Sequence, residues 1–198
     1  LSDDVYRYVH EGRMVLRGLN PYAMAPMDVP VALRGPEWSL INNPEIAAAY
    51  PPALQYALAL GVWIDPSPMG MRIVFGGLDV LAGLLLWLVL RGANRNPALA
   101  IVYAWCPLTA IEFAGQAHGD SLAVAFTLLG IWLAQRGGAG LVLAGSAMGV
   151  ATGAKLIPVV LLPFVLGASG RSDWGRDRPS RAWLGYAGFV VTLVGLYA

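Results

Sequence analysis

An apolar run from residue 71 to residue 90, MRIVFGGLDVLAGLLLWLVL, limits what this chain can fold into more than any other feature. A helix of about 20 apolar residues crosses a bilayer core of about 30 Å, so the run predicts a transmembrane span. Hydrophobic residues make up 57% of the 198 positions and charged residues only 13%, whereas soluble domains average about 25% charged residues. The composition therefore indicates an integral membrane protein.

Further apolar segments predict an all-α, polytopic transmembrane helix bundle over residues 71 to 198. Three of them are long enough for shorter spans: 98 to 114, 119 to 135 and 182 to 198. Lys155 and two prolines interrupt the run from 140 to 168, which predicts one helix to about Lys155 and a shorter return. Because the sequence ends inside an apolar segment and has no initiator Met, we expect a fragment of a longer protein, truncated at its C-terminus.

Residues 53 to 64 decide the predicted topology. They form an apolar segment of only about a dozen residues, which suits an interfacial or re-entrant helix better than a span. Residues 1 to 70 then form a non-cytoplasmic first loop with interfacial helices, and Lys155 reaches the same face. The positive-inside rule assigns to the cytoplasm the loops with Arg91, Arg95, Arg136, Arg171, Arg176, Arg178 and Arg181. If residues 53 to 64 spanned the membrane instead, residues 1 to 50 would be cytoplasmic.

Net charge and cysteine content argue against a nucleic-acid partner and against structures built on several cysteines. The formal charge is +1 and the arginines are scattered, so nothing indicates a nucleic-acid partner. Cys106 is the single cysteine, which excludes disulfides and thiolate metal clusters within this sequence.

The stretch SDDVYRYVHEGR at the start of the chain predicts an amphipathic helix over residues 3 to 17 that lies at the membrane surface. One face is apolar, and its residues recur at helical spacing: Val5, Val9, Gly12 and Leu16. The acids have a structural explanation, because Asp3 and Asp4 complement the helix dipole. Ser2 would cap this helix and Gly18 would end it. A carboxylate here is also a candidate general base, because a lipid-linked substrate would arrive beside it.

A polar turn, EFAGQAHGDS, separates two predicted apolar helices. Polar groups are costly in this setting unless they are paired or hydrated, and the turn has four: Glu112, Gln116, His118 and Asp120. The structural interpretation is that Asp120 caps the next helix and His118 is a turn residue. The functional interpretation is a binding site. The His118–Asp120 pair leaves a divalent metal open, although two ligands are a weak metal signal.

Lys155 and Asp79 are isolated charges in apolar surroundings. Lys155 is the only lysine of the chain and is predicted near the non-cytoplasmic interface. Its long side chain either snorkels to water or holds a lipid phosphate there. Asp79 lies within the first predicted span, and we expect it to form a structural pairing with another helix.

The order of motifs resembles the C-type (GT-C) glycosyltransferases, membrane enzymes that use polyprenyl-phosphate sugars, and in particular bacterial mannosyltransferase-like proteins. The motifs are SDDVYRYVHEGR, GLNPYAMAP, INNPEIAAAYPPALQ, WCPLTAIEFAGQAHGDSLA and ATGAKLIPVVLLPF, and they cover almost the whole sequence. In that superfamily the first non-cytoplasmic loop carries an acidic motif that acts as, or beside, the catalytic base. Asp3 and Asp4 match this motif. Gly119 is a departure, since many relatives have HND where this chain has HGD.

The resemblance implies an inverting transfer of a sugar, expected to be mannose, from a polyprenyl-phosphate donor to a lipid or glycan acceptor. Asp4 or Asp3 would take the proton of the acceptor hydroxyl. The side chains expected to hold the phosphate are Arg7, His118 and Lys155. Those expected to line the sugar pocket are Asn20, Tyr22, Glu112, Gln116 and Asp120.

The resemblance also implies a location and partners. The protein would lie in the bacterial inner (plasma) membrane, among membrane lipids, with its site on the non-cytoplasmic side of the cell envelope. The lipid tail of the donor would lie between the transmembrane helices. No cofactor is implied with certainty, and a divalent metal stays open.

Two alternatives are a secondary transporter, which broken helices and intramembrane charges also suit, and a non-catalytic lipid-binding membrane protein. A transporter is expected to place its polar residues near the membrane midplane and to contain repeated halves. This sequence concentrates its polar residues at one predicted face and has no repeat that we detect. The sequence therefore favours the glycosyltransferase.

Overall fold

The computed structural model describes residues 3–168 and 181–198, and within them the chain is helical, with no strand. The predicted all-α class is confirmed. The α-helices of these residues are α1 (Asp4–Leu16), α2 (Pro52–Ile64), α3 (Pro68–Gly92), α4 (Ile101–Ala104), α5 (Pro107–Thr109), α6 (Asp120–Ala134), α7 (Gly140–Ala154), α8 (Leu162–Ala168) and α9 (Ala182–Tyr197). Four residues named in the predictions, Ser2, Arg171, Arg176 and Arg178, lie outside the described residues.

α3 is the helix that the sequence predicts most directly. It has 25 residues and is long and apolar enough to cross a membrane. Its start follows from local chemistry, because the Ser67 hydroxyl accepts a hydrogen bond from the Met69 N–H and Pro68 occupies the first helical position. The apolar run predicted as the first span is therefore one continuous helix.

The predicted span over residues 98 to 114 is bent in the structure. The helical segments Pro97–Ala104 and Pro107–Gly115 meet at an angle of 50°, and together they are long and apolar enough for one broken span or a re-entrant loop. The break follows from Pro107, which has no N–H to continue the helix. The other apolar helices of the described part have 10–17 residues, below the roughly 20 of a straight span. By length and composition, one described helix could cross a membrane, or two if the bent pair is one span, so the predicted polytopic bundle stays a prediction.

α3 and α6 end side by side. Gln135, just after α6, donates from Nε2 to the carbonyl of Val89 near the end of α3, at 3.0 Å. Each helix end carries an arginine stacked on a tryptophan one turn earlier: Arg91 lies 5.4 Å from the Trp87 ring centre and Arg136 lies 3.3 Å from that of Trp132. The two basic loops that follow these helices therefore lie at one end of the bundle.

α7 and α9 run parallel and pack closely because glycines line their contact. A Cβ on Gly145 would lie 1.8 Å from the carbonyl oxygen of Gly185, and one on Gly153 would lie 2.6 Å from Leu196. Small residues of this kind let helix backbones approach each other in membrane proteins. The C-terminal ends of α7 and α9 consequently share the end of the bundle at which Lys155 lies.

α1 is covered by the rest of the protein on more than its apolar face. The predicted apolar face is present, since Val5 and Val9 are 0% and 1% exposed. At Gly12, a Cβ would lie 2.4 Å from a backbone oxygen of α2. His10 and Glu11, however, are also only 1% exposed. The apolar face of α1 therefore packs against α2, and parts of its polar face are buried as well.

Arginines of α1 hold the long loop between α1 and α2. Arg13 donates from Nε and Nη2 to the two carboxylate oxygens of Glu37, each at 3.1 Å, and Arg17 donates to the carbonyl of Leu33. Burial raises the pKa of Glu37, but the contacts with His10 and Arg13 outweigh it and lower the pKa to about 2. The arginine-dotted start of an otherwise apolar chain thus serves to fix this loop.

Candidate active site

The polar residues of the predicted site lie around one buried apolar cluster. A neighbour of three of them is fully buried in this cluster: Val5 beside Asp4, Ala117 beside His118 and Ala154 beside Lys155. The first turn of α2 lies at its centre, since a Cβ on Gly119 would lie 2.5 Å from Leu54 and one on Gly153 would lie 3.3 Å from Ala53. α2 therefore holds the start of α1, the polar turn and the end of α7 at one end of the molecule.

Lys155 and Asp120 form an ion pair in which Lys155 Nζ donates to Asp120 Oδ1. The side chains are 39% and 43% exposed, so solvent reaches both charges. Asp120 is the first residue of α6, where its charge also complements the helix dipole. α7 ends at Ala154, and Lys155 continues in extended backbone. The sequence predicted the position of Lys155 at the helix end but not its partner.

Tyr8 lies close to the charges of Asp4 and Asp120. Its hydroxyl donates to the Tyr50 hydroxyl at 3.3 Å. Burial raises the pKa of Tyr8 far above its usual range, and the Tyr50 hydroxyl and the charges of Asp4 and Asp120 raise it further. Asp4 of α1 and Asp120 of α6 therefore both lie near the phenol of Tyr8. Sequence reasoning missed Tyr8; its position one helical turn after Asp4 was the available signal.

The turn between α5 and α6 has an unusual backbone. Residues Ala110–Gly115 form a π-helical segment, and Ala117 adopts φ +62° although it has a side chain. Such features cost energy and recur at functional sites. His118 Nδ1 lies 2.6 Å from Glu112 Oε2, and the His118 N–H donates to the Glu112 carbonyl at 3.0 Å. Two of the four predicted polar residues of this turn thus contact each other directly.

Gly119, where many relatives are expected to have Asn, packs against α2. The side chain of Leu54 fills the space that a Cβ at this position would need, 2.5 Å away. The backbone φ of Gly119 is −70°, an ordinary value for any residue. The restriction at this position is therefore one of space rather than of backbone conformation.

Asp3 and Asp4 differ in their surroundings. Asp3 is exposed at the N-cap of α1, and its side chain makes no capping hydrogen bond. Asp4 is half-buried, and its Oδ1 accepts a hydrogen bond of 2.9 Å from Asn42 Nδ2. Asp4 is consequently the more firmly oriented of the two carboxylates. Asn42 was missed by sequence reasoning, because no periodicity links it to residue 4.

The guanidinium of Arg7 contacts protein acceptors through all three nitrogens. Nε donates to Glu11 Oε1 at 2.7 Å, Nη1 donates to the Asn43 carbonyl at 3.1 Å, and Nη2 donates to the Ile46 carbonyl at 2.5 Å. Glu11 also accepts from Gln55 Nε2 at 2.6 Å. These bonds give Arg7, expected from the resemblance to bind phosphate, a role in holding the loop before α2.

Asn20 and Tyr22 line a separate pocket of about 360 Å³ beside this region. The Tyr22 hydroxyl donates to the Tyr50 carbonyl at 2.7 Å, and burial raises the pKa of Tyr22 to about 12. Other polar residues of the lining are Gln55, Tyr56 and Tyr197. Since the Tyr50 hydroxyl accepts from Tyr8, Tyr50 connects this pocket to the surroundings of Asp4.

The possible metal site gains little support from the geometry. Within the described residues no group of three His, Cys, Asp or Glu side chains is placed to hold a metal ion. His118 contacts Glu112 and Asp120 pairs with Lys155.

Asp79 has a partner on another helix, because the Tyr103 hydroxyl donates to Asp79 Oδ1 at 2.7 Å. The expected structural pairing of Asp79 with another helix is therefore confirmed.

Fold and site together describe an apolar helical protein in which carboxylates, a lysine and a histidine are gathered at one end. Residues 1–171 match the family model described as alpha-(1->6)-mannopyranosyltransferase, N-terminal domain, the MptA_B family. The chain belongs to this family. The resemblance to bacterial mannosyltransferase-like proteins is thereby confirmed.

One relative is the alpha-(1->6)-mannopyranosyltransferase A of Mycobacterium tuberculosis (strain ATCC 25618 / H37Rv). It is 29% identical over 174 residues, which cover 83% of this chain and 32% of the relative. The chain thus spans about a third of the length of this relative. No solved structure matches the chain significantly.

Proposed function

We propose that this chain forms the base-bearing N-terminal part of a polytopic membrane mannosyltransferase. The enzyme moves mannose from a polyprenyl-phosphate donor, with inversion, to a lipid or glycan acceptor at the non-cytoplasmic face of the bacterial plasma membrane. Membership of an alpha-(1->6)-mannopyranosyltransferase family supports the reaction class. The single observation that carries the proposal is that the Lys155–Asp120 ion pair and Asp4 lie beside one buried cluster at one end of apolar helices.

Asp4 is the proposed general base, and Asp3 is its alternative. The acceptor hydroxyl oxygen attacks the anomeric carbon of the donor sugar while the bond from that carbon to the phosphate oxygen breaks. The hydroxyl proton passes to the carboxylate, and the polyprenyl phosphate leaves with the bonding electrons. A base positioned in this way contributes about 10²- to 10⁴-fold to the rate. The hydrogen bond from Asn42 favours Asp4, since it fixes the carboxylate orientation.

Lys155 and His118 are the proposed phosphate ligands. The Lys155 ammonium is partly exposed and faces a carboxylate, so a donor phosphate can replace Asp120 as its partner. Charge-assisted hydrogen bonds from Lys155 and His118 would stabilise the leaving phosphate. Arg7 acts in this proposal through the loop that it holds, because its guanidinium nitrogens already donate to Glu11 and two carbonyls.

The sugar-binding residues divide into two groups in this proposal. Glu112, Gln116 and Asp120 lie on the polar turn and face the transferred mannose. Asn20 and Tyr22 belong to the pocket of about 360 Å³, and we assign this pocket to the acceptor. Tyrosine rings and amide groups suit a saccharide, which presents both apolar C–H faces and hydroxyl groups.

The lipid tail of the donor is assigned to an apolar groove between α2, α3 and α6. The groove measures about 610 Å³, and its lining includes Tyr56, Leu60, Ile73, Leu78 and Phe126. Ala53 and Leu122 also line it, which links the groove to the first turns of α2 and α6. The tail would thus extend from the proposed phosphate site along the helices.

The deciding experiment measures transfer of labelled mannose from polyprenyl-phosphate mannose by membranes that contain the full-length protein. We expect Asp4→Asn to lower kcat by about 10²- to 10⁴-fold, and Asp3→Asn to have a smaller effect. Glu45→Gln removes an exposed carboxylate of the same loop region and serves as the matched control. Wild-type activity in Asp3→Asn, Asp4→Asn and the double variant would overturn the base assignment.

The proposed topology has its own test. Single cysteines at Glu45 and Arg95, both exposed positions, are introduced in a background that lacks other reactive cysteines. A membrane-impermeant maleimide applied to intact spheroplasts should label position 45 and leave position 95 unlabelled until the cells are broken. Labelling of both positions in intact spheroplasts would exclude opposite faces for the loop before α2 and the loop after α3.

A further inference from the structure

We propose that Asn42 is a positioning residue that orients the Asp4 carboxylate, and that the partly buried Arg7–Glu11 ion pair holds the segment that carries Asn42. This inference rests on the proposed function for the role of Asp4, and the contact itself is independent of that role. Asn42 Nδ2 donates to Asp4 Oδ1 at 2.9 Å, and both side chains are half-buried. Because 38 residues separate the two in sequence, the loop between α1 and α2 must be fixed for this bond to persist.

Arg7 fixes the segment that carries Asn42. Its guanidinium donates to the carbonyl of Asn43 at 3.1 Å and to that of Ile46 at 2.5 Å. Asn43 has φ +45°, in the left-handed region, where a residue with a side chain persists only when its surroundings hold it. Asparagine is among the residues that tolerate this region best. The conformation of the segment is therefore held by Arg7 just after the residue that contacts Asp4.

A buried carboxylate fixes Arg7 in turn. Glu11 Oε1 accepts from Arg7 Nε at 2.7 Å, and Glu11 Oε2 accepts from Gln55 Nε2 of α2 at 2.6 Å. Glu11 is 1% exposed, so its charge is costly unless both partners stay in place. A continuous set of hydrogen bonds and backbone thus runs from α2 through Glu11, Arg7 and Asn42 to Asp4.

An amide donor suits this position for a chemical reason. It donates a hydrogen bond to the carboxylate without adding a charge that would compete for the substrate. Asp4 and Asp120 of α6 both act on the Tyr8 hydroxyl, Asp3 precedes Asp4 at the N-cap of α1, and Arg7 lies one turn further along this helix. A carboxylate at position 42 would add a negative charge directly against Asp4.

The experiment compares Asn42→Asp and Asn42→Ala in the full-length protein, with Asn94→Asp as the matched control at an exposed turn after α3. In Asn42→Asp we expect the acidic limb of the pH–kcat profile to move up by about one pH unit, because a like charge favours the protonated base. In Asn42→Ala we expect kcat to fall by about 10- to 100-fold while KM stays within about twofold. Asn94→Asp should match the wild type.

A purely structural role for Asn42 would lower the amount or the Tm of the protein and leave the acidic limb unchanged. An unchanged limb in Asn42→Asp, with kcat of Asn42→Ala within about twofold of the wild type, would overturn the inference. If Asp4→Asn keeps full activity, the proposed base fails instead, which separates the two failures.

A second measurement tests the contact without any transfer reaction. Thermal unfolding of Asp4→Asn, Asn42→Ala and the double variant forms a double-mutant cycle. We expect the Tm loss of the double variant to be smaller than the sum of the single losses. Additive Tm losses would overturn the inference, whichever sugar the enzyme transfers.

Discussion

Gln55 Nε2 donates a 2.6 Å hydrogen bond to Glu11 Oε2, and the two residues are only 3% and 1% exposed. The other oxygen of Glu11 accepts from Arg7 Nε at 2.7 Å. Each oxygen of a fully buried charge therefore has a donor, one of which comes from α2. This arrangement makes Glu11 the point at which α1, α2 and the loop between them are joined.

Glu11→Leu should destabilise the protein strongly. The substitution removes the acceptor of Arg7 Nε and of the buried Gln55 Nε2, and it leaves the Arg7 charge without its carboxylate. Breaking a buried ion pair by removing one partner costs about 3–5 kcal/mol. The measurement is unfolding of the detergent-solubilised full-length protein. Glu45→Leu at an exposed position is the control and should stay within about 0.5 kcal/mol of the wild type. Equal losses in the two variants would contradict the role given to Glu11.

Glu37 should make stability depend on pH in the acidic range. Its pKa is lowered from 4.5 to about 2, so the folded state binds the proton less tightly than the unfolded state. The stabilisation is therefore complete above about pH 4.5 and is lost as the pH falls towards about 2. Since a tenfold change in proton affinity is worth about 1.4 kcal/mol, the loss is at most about 3 kcal/mol. Glu37→Gln should flatten the decline in Tm between these pH values, and an identical decline in both proteins would contradict this cause.

Gly145→Ala should separate α7 from α9. The new Cβ would lie 1.8 Å from the carbonyl oxygen of Gly185, a backbone atom that moves only with its helix. Overpacking of this kind costs about 1–3 kcal/mol. Gly77→Ala in α3 is the matched control, because a Cβ there meets nothing within 4 Å. Thermal unfolding should show a lower Tm for Gly145→Ala alone. A similar Tm in both variants would show that the helices accommodate the methyl group.

The helices themselves follow from the sequence, because apolar runs and helix-ending residues are local signals. α7 ends at Ala154, directly before the predicted end at Lys155, and α3 covers the predicted run from 71 to 90. Gly18 has φ +70° just after α1, as expected of a residue that ends a helix. These features depend on a few neighbouring residues, which a single sequence contains.

The contacts of the candidate site do not follow from the sequence. Lys155 and Asp120 are 35 residues apart and Asn42 and Asp4 are 38 residues apart, so no periodicity connects them. The burial of Glu11 is unexpected for a further reason. A charged residue in an amphipathic stretch is normally exposed, and it becomes buried only when partners from elsewhere in the chain cover it. Such partners depend on how the helices pack.

Substitutions at Lys155 and Asp120 should change the transfer activity while changing the stability of the fold little. Because both side chains are about 40% exposed, their ion pair should contribute no more than about 1 kcal/mol to folding. If Lys155 holds the donor phosphate, Lys155→Met removes a charge that acts on the leaving group. Its loss should lower kcat/KM for polyprenyl-phosphate mannose by about 10²- to 10³-fold. The Tm should change little.

Asp120→Asn should behave differently from Lys155→Met, because it removes the resting partner of the lysine and keeps the ammonium. We expect a smaller loss of kcat/KM than in Lys155→Met, since the phosphate-binding charge is retained. Arg95→Met, which removes an exposed cation at the opposite end of the bundle, is the control and should transfer mannose at the wild-type rate. Wild-type kcat/KM in Lys155→Met would contradict a phosphate-binding role and leave the pair as a surface contact. A large fall in Tm with unchanged activity per folded molecule would give Lys155 a structural role instead.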